Sequence, residues 1–391
     1  MHRHDVVRIG ISGSYGGLNL GDEAILQSII AELRRDVPGV ELVVFSRNAE
    51  DTRRRHAVEH AVDARRISRS EARSIVRELD LLILGGGGIL FDEDAEHYVR
   101  EVFLAKETNI PVLVYAISVG PLTTRRTREL VRDALEHVTV LTVRERRSQQ
   151  LLDDIGIFQE VELVADPALL IEPEPLSLDV ILRNEAIDPD ATLIAFSVRE
   201  PGPAAPDLEV SKYHQLLANA ADYLVDRLEA EIVFFPFERR VSDVQHSHGV
   251  VAQMHHAHCA TVLRREYRPG QLISLLKHFD LAIGMRLHFL IFSALADLPI
   301  VALPYASKVR GFLDELGING PAVQEVSAGQ LIAHVDRMWD ARDAQRAHVQ
   351  DALPHLQRKA RIPHEHAVRL LSRTKELTSE KELMSEKTQR D

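Results

Sequence analysis

The chain holds a single cysteine, Cys259, in 391 residues, so no internal disulfide can form. One thiol in a chain of this size fits a reducing cytoplasm. Positive charge is in deficit: the net charge is −12 at pH 7. That excludes nucleic acid as a main partner, and any anionic ligand must be met by a local cluster of Arg, Lys and His. No apolar run reaches the ~18 residues that would suggest a membrane span, so membrane contact is at most peripheral. Met1 to Asp5 leads directly into a strand, from which no signal peptide is expected. The expected compartment is the cytoplasm, at the inner face of the cell membrane if the protein serves the envelope. There is no GxxxxGK[ST] loop and no clean GxGxxG after the first strand, which argues against ordinary ATPase chemistry and dinucleotide binding. The run His246, His248, His255, His256, His258 contains no His-x-x-x-His pair and has no companion CxxC, so no metal is expected there.

What the sequence does have is strand–helix alternation. The hydrophobic fraction of 45% is that of a globular chain with sizeable cores, and the length suggests two domains. Apolar segments 6–12, 41–46, 79–84, 111–118, 138–143 and 161–164 read as buried parallel strands separated by helices. Glu172-Pro173-Glu174-Pro175 reads as a linker. A second series follows at 192–198, 231–235, 260–263, 281–283 and 300–303. The expected fold is α/β, with two Rossmann-like doubly wound domains in a GT-B-like arrangement and a cleft between them. The expected domains are 1–172 on the acceptor side, 176–352 on the donor side, and a C-terminal helix with a polar, partly disordered tail over 353–391. Residues 47–77, rich in arginine, read as a solvated helical face, and Gly85 to Gly88 as a turn.

In open parallel sheets, ligands bind beyond the carboxyl ends of the strands. Arg286 and His288 open a helix just after the strand 281–283. Tyr305 and Lys308 follow the next strand, and Arg199 follows the strand 192–198. Guanidinium, imidazole, phenol and ammonium groups on successive loops suit an anion. The imidazole of His288 suits proton transfer. On the first loop, Asn19 and Asp22 are helix caps or, for Asp22, a carboxylate that holds or deprotonates a sugar hydroxyl. Gly86 and Gly87 have amides that can approach a phosphate or sugar, or they allow tight packing.

The motifs together resemble the polysaccharide pyruvyl transferase family. They are Asn19-Leu20-Gly21-Asp22-Glu23, the four-glycine stretch, Ile117-Ser118-Val119-Gly120-Pro121, Val143-Arg144-Glu145, Ala165-Asp166-Pro167, Phe196-Ser197-Val198-Arg199, Pro236-Phe237, Gly284-Met285-Arg286-Leu287-His288, and Tyr305 with Lys308. The resemblance implies a transfer of pyruvate from phosphoenolpyruvate to two hydroxyls of a sugar, in a glycan or lipid-linked saccharide, giving a cyclic ketal and phosphate. It implies no cofactor beyond the donor substrate and is compatible with a homo-oligomer. Arg286, His288 and Arg199 fall on donor positions. His288 is the expected acid that protonates the donor's methylene carbon, and Asp22 the expected acceptor-side carboxylate. The Pro-rich stretch Arg199 to Pro206 departs from the family pattern. Two other readings remain: a GT-B glycosyltransferase using a nucleotide sugar, and a non-catalytic saccharide-binding relative.

Overall fold

A computed structural model describes residues 6–17, 19–199, 209–238 and 242–388, with side chains up to residue 373. The chain divides into two compact units. Unit 1 comprises Met1–Gly17, Ile25–Pro167 and Arg358–Asp391; unit 2 comprises Leu18–Ala24 and Ala168–Gln357.

The strands of unit 1 are β1 (Arg8–Ser12), β2 (Glu41–Ser46), β3 (His60–Asp63), β4 (Leu81–Leu84), β5 (Gly87–Leu90), β6 (Val112–Val119), β7 (Val140–Val143) and β8 (Val161–Leu163). They form one parallel sheet in the order β3-β2-β1-β4-β6-β7-β8, with β5 also pairing to β6. The reason lies in the sequence: Leu81–Leu84 and Val112–Val119 are buried at every position, as strands covered on both faces must be. Two expectations are corrected. The arginine-rich stretch is not one helical face; β3 lies in it, between helices Ala49–Arg55 and Arg69–Val76. Its side chains are at best half-buried, so the edge strand carries almost no apolar signal. The four glycines are not a plain turn either. Gly87 and Gly88 belong to β5, which pairs with Ile117 and Ser118 of β6.

Unit 2 holds β9 (Leu193–Ser197), β10 (Glu231–Phe234), β11 (Ala260–Val262), β12 (Leu281–Gly284) and β13 (Ile300–Ala302). Their order is β11-β10-β9-β12-β13, all parallel. From β9 the chain moves outward to β10 and β11, then returns to lay β12 on the other side of β9. The strand order therefore reverses between β9 and β12, the position where doubly wound sheets open a crevice. Glu172–Pro175 is tied into this unit: Glu174 N donates to Gly270 O at 3.0 Å, and Ser274 Oγ donates to Glu174 O at 2.6 Å.

Two helices run from one unit into the other. Leu20–Asp36 starts in unit 2 and continues into unit 1, and Arg342–Thr388 does the same at the other end of the sequence. The C-terminal helix thus begins at Arg342 rather than 353. Within unit 1 it is fixed by His364 against Asp36 and by His366 against Glu162, both at 2.7 Å. No helix among the described residues is long and apolar enough to cross a membrane.

Candidate active site

The register of unit 2 gathers the expected cations. Ser197 pairs with Gly284, and Gly284 pairs with Ala302. Arg199 and Arg286 each lie two residues past this row, and Tyr305 lies three past it. Met285 N donates to Ser197 O at 3.1 Å and Leu303 N to Gly284 O at 2.9 Å, so the three exits leave side by side.

Tyr305 is the point on which they converge. Its side chain is buried, and Nη1 of Arg199 donates to its oxygen at 2.5 Å. The same guanidinium lies 4.5 Å from the ring centroid, so one arginine both stacks on the ring and bonds to the hydroxyl. Burial pushes the phenol up, but Lys308, Arg199 and Arg286 outweigh it and hold the phenol below the ordinary tyrosine value. Three cations from three strand exits thus act on one buried oxygen.

Two helices begin here, Leu287–Leu295 after Arg286 and Ser307–Leu316 after Ala306. Neither has a side-chain cap, which leaves first-turn amides suited to an anion. Lys308 is the second residue of the latter helix and is half-buried.

The guanidinium of Arg286, expected to meet the donor, is engaged by two carboxylates of the chain itself. Its Nε donates to Asp243 Oδ2 at 2.9 Å, and Nη2 donates to Asp243 Oδ1 and to Glu238 Oε2, the latter at 3.0 Å. Arg286 is 8% exposed and Asp243 wholly buried. Burial opposes the charge on Arg286, but Asp243, then Tyr305 and Glu238, outweigh it and raise the guanidinium above its ordinary value. Asp243 also accepts from the backbone N–H groups of Phe237 and Glu238, each at 3.0 Å. It therefore ties the exit of β10 to the start of the Arg286 helix. Nη1 of Arg286 donates to none of the described residues.

The sequence pointed to neither Asp243 nor Glu238 as part of the site. A usable signal existed. A buried arginine needs a counter-charge, and Glu238 follows the strand that neighbours β9.

Residues 19–24 group with unit 2. Leu20 N donates to Phe237 O at 2.9 Å, and Asn19 makes an antiparallel bridge with Glu238. Asn19 caps the helix, its Oδ1 accepting from Gly21 N at 3.0 Å. Gly21 lies directly against His288: a methyl carbon built on it would sit 1.8 Å from Nδ1. Asp22 is half-buried in the first turn of the same helix. Unit 2 thus carries Asn19, Asp22, Arg199, Arg286, His288, Tyr305 and Lys308.

Gly86 and Gly87 lie in unit 1. A methyl on Gly86 would meet Ile25 Cγ2 at 2.8 Å and the Tyr115 carbonyl at 3.3 Å, and Gly87 has φ +99°. Both are buried, and glycine there answers to packing and backbone conformation. Three motifs of unit 1 meet at Arg144, which donates through Nε to Ser118 Oγ at 2.7 Å and through Nη1 to Asp166 at 2.5 Å. The pair locks the ends of β6, β7 and β8. Residues 200–208, most of the Pro-rich loop, lie outside the described residues. Among the described residues no three His, Cys, Asp or Glu side chains are grouped so as to hold a metal ion.

The sequence profile of polysaccharide pyruvyl transferases matches residues 19–307, most of the chain. The chain belongs to the polysaccharide pyruvyl transferase family. The match opens at Asn19 and closes at Ser307, so it brackets the unit 2 residues gathered here, apart from Lys308. The amylovoran biosynthesis protein AmsJ of Erwinia amylovora is 26% identical over 278 residues, spanning 68% of this chain and 66% of that protein's length. Among solved structures, UDP-GlcNAc 2-epimerase from Neisseria meningitidis bound to UDP-GlcNAc is similar with a TM-score of 0.63 at 10% identity, over 93% of this chain and 100% of the other. Anabaena Alr3699/HepE in complex with UDP and glucose gives 0.62 at 11% identity, over 94% and 99%. At such identities these two show the fold alone. This pyruvyl transferase family member is α/β, with two Rossmann-like units of the GT-B-like class.

Proposed function

We propose that this chain transfers pyruvate from phosphoenolpyruvate to two hydroxyls of a saccharide, forming a cyclic ketal and releasing phosphate. The observation that carries this reading is the convergence of Arg199, Lys308 and Arg286 on Tyr305. Phosphoenolpyruvate bears a carboxylate and a phosphate. A site for it needs several cations at one place, in a chain that is acidic overall. Two uncapped helix starts add amide donors there.

In this reading Arg199 and Lys308 bind the donor and Arg286 contributes Nη1, its other nitrogens being held by Asp243 and Glu238. His288 gives a proton to the methylene carbon, which makes the neighbouring carbon cation-like and open to attack by a sugar hydroxyl. Asp22 and Asn19 stand on the segment that lies against His288 and are the candidates for acceptor contact. Fixed cations around the departing phosphate stabilise the charge that develops on it. The donor is a substrate and the chemistry draws on no further cofactor. The acceptor class is a glycan or lipid-linked saccharide of exopolysaccharide synthesis, an assignment supported by the likeness to AmsJ. Phosphoenolpyruvate is a cytoplasmic metabolite in this reading, which places the protein in the cytoplasm.

The test is incubation with phosphoenolpyruvate and a panel of saccharide carriers, following phosphate release and the mass of the product. A mass gain matching a pyruvate ketal, with stoichiometric phosphate, is the expected result. Turnover of UDP-sugars with none of phosphoenolpyruvate would move the chain to the glycosyltransferase reading. Saccharide binding without turnover of either donor would make it a binding protein.

A further inference from the structure

The ketal reaction moves two protons off hydroxyls, one per new C–O bond. One methylene carbon and one phosphate must each gain a proton. His288 serves the carbon. A second group is needed that can take a proton beside the phosphate and give it back. We propose that Tyr305 is that acid–base residue, its phenol oxygen taking the proton of the first attacking hydroxyl and passing it to the phosphate as it leaves. The inference rests on the pyruvyl-transfer reading and assigns a step within it.

Four observations support it. The oxygen of Tyr305 is placed by a 2.5 Å bond from Arg199, and the ring is fixed by the same guanidinium. The side chain is buried, so its proton exchanges with the site rather than with bulk water. The groups acting on it are Lys308 from the helix that follows it, Arg199 from the exit of β9 and Arg286 from the exit of β12, with Asp243 and Glu238 behind Arg286. Their net effect lowers the phenol below its usual range despite burial, which favours the phenolate over what the same buried ring would show without them. These cations are also the ones that meet the phosphate, so proton donor and leaving group share one location.

The steps balance. The π pair of the donor's C=C bond takes the proton of His288, leaving the adjacent carbon electron-poor. The first hydroxyl oxygen bonds to that carbon and its proton goes to the Tyr305 phenolate. The carbon–oxygen bond to phosphate then breaks, the electron pair leaving with phosphate, which takes the proton from Tyr305. The second hydroxyl oxygen closes the ketal and its proton returns to His288. Both side chains regain their starting state, and no oxidant or reductant is used.

The experiment compares wild type, Tyr305→Phe, and protein with fluorotyrosine at position 305. Tyr305→Phe should lower kcat by about 10²–10³-fold while phosphoenolpyruvate affinity by calorimetry changes by less than about threefold. The ascending limb of the kcat–pH profile should vanish in Tyr305→Phe and move to lower pH with fluorotyrosine, a shift that a merely structural tyrosine would not give. Independently of turnover, tyrosinate absorbance should show a step below that of the other tyrosines, missing in Tyr305→Phe. An unchanged kcat, a limb that fluorotyrosine does not move, or absence of that step overturns the role of Tyr305 and leaves pyruvyl transfer standing. Wild-type protein that turns over no phosphoenolpyruvate but keeps the absorbance step overturns the reaction instead.

Discussion

A methyl carbon on Gly21 would sit 1.8 Å from Nδ1 of His288 and 2.5 Å from its Cε1. The first turn of one helix is therefore in direct contact with the imidazole at the start of another, though 267 positions separate them in sequence (288 − 21). Glycine is required at 21 by that close approach, not by a positive φ, since its backbone is ordinary helix. The contact sets the segment that carries Asn19 and Asp22 against the imidazole through Gly21.

Gly21→Ala should therefore act on chemistry more than on folding. The methyl must push either the ring or the 19–24 segment aside, and a misplacement of about 1 Å can cost roughly 10²-fold in rate. The expected result is a kcat loss of that order with phosphoenolpyruvate affinity within about threefold. Gly329→Ala is the control. It lies in the helix Ala328–Asp340 with open space around its Cβ position, and the change should stabilise by about 0.5–1 kcal/mol without touching kcat. Equal kinetics for the two variants would remove Gly21 from the site.

Arg199 makes two kinds of contact that lysine cannot make together, a stack on the Tyr305 ring and a directed bond to its oxygen. Arg199→Lys keeps the charge and loses the geometry. With a charge-assisted contact worth about 2 kcal/mol, KM for phosphoenolpyruvate should rise roughly 30-fold. Arg310 is exposed on the outer part of the neighbouring helix, and Arg310→Lys should leave KM unchanged. Steady-state kinetics at fixed ionic strength separates the two, and a KM unaltered in Arg199→Lys would place the donor elsewhere.

Much of this was legible in the sequence because buried parallel strands are continuous apolar runs and announce themselves. Leu281–Gly284 and the loop residues after it are legible from pattern alone, and the register sets Arg199, Arg286 and Tyr305 at the carboxyl end of one sheet. Edge strand β3 was not legible, since His60–Asp63 buries little. Nor was β5, because two of its residues are glycines. Asp243 looked like a helix start, and its charge pairing with Arg286 spans 43 positions, a separation no local pattern encodes. The packing of residues 19–24 on unit 2 was hidden for the same reason.

His214 should make the fold sensitive to acid. It is 7% exposed, with Nε2 3.0 Å from His246 Nδ1 and 3.1 Å from the Tyr213 oxygen, and its ring lies against Gly249. Burial first, then His246, pull its imidazole down to about 4. In the unfolded chain it titrates near ~6.5. Between these values the unfolded state binds more protons, so stability rises with pH across the window and is lost as pH falls from about 6.5 toward 4. The loss attributable to this residue is on the order of 2 kcal/mol. Thermal midpoints measured from about pH 7 to 4.5 should fall less steeply in His214→Gln than in wild type, and parallel curves would show that the imidazole is not the titrating group.

The Arg286–Asp243 pair predicts a strong departure from additivity. Removing one member of a buried pair strands the other's charge, at about 3–5 kcal/mol. Asp243→Asn keeps acceptor capacity for the Phe237 and Glu238 amides but takes the largest counter-charge from Arg286, leaving among the described residues Tyr305 and the half-exposed Glu238. Arg286→Met leaves Asp243 charged and wholly buried, held among the described residues by the backbone amides of Phe237 and Glu238. Each single change should lower stability by about 3 kcal/mol. The double variant has no stranded charge and should be little worse than either single, a coupling of about 2–3 kcal/mol read from thermal or urea midpoints. Simple addition of the two losses would mean that the charges do not depend on each other, and Asp243 would then serve only to join the exit of β10 to its own helix.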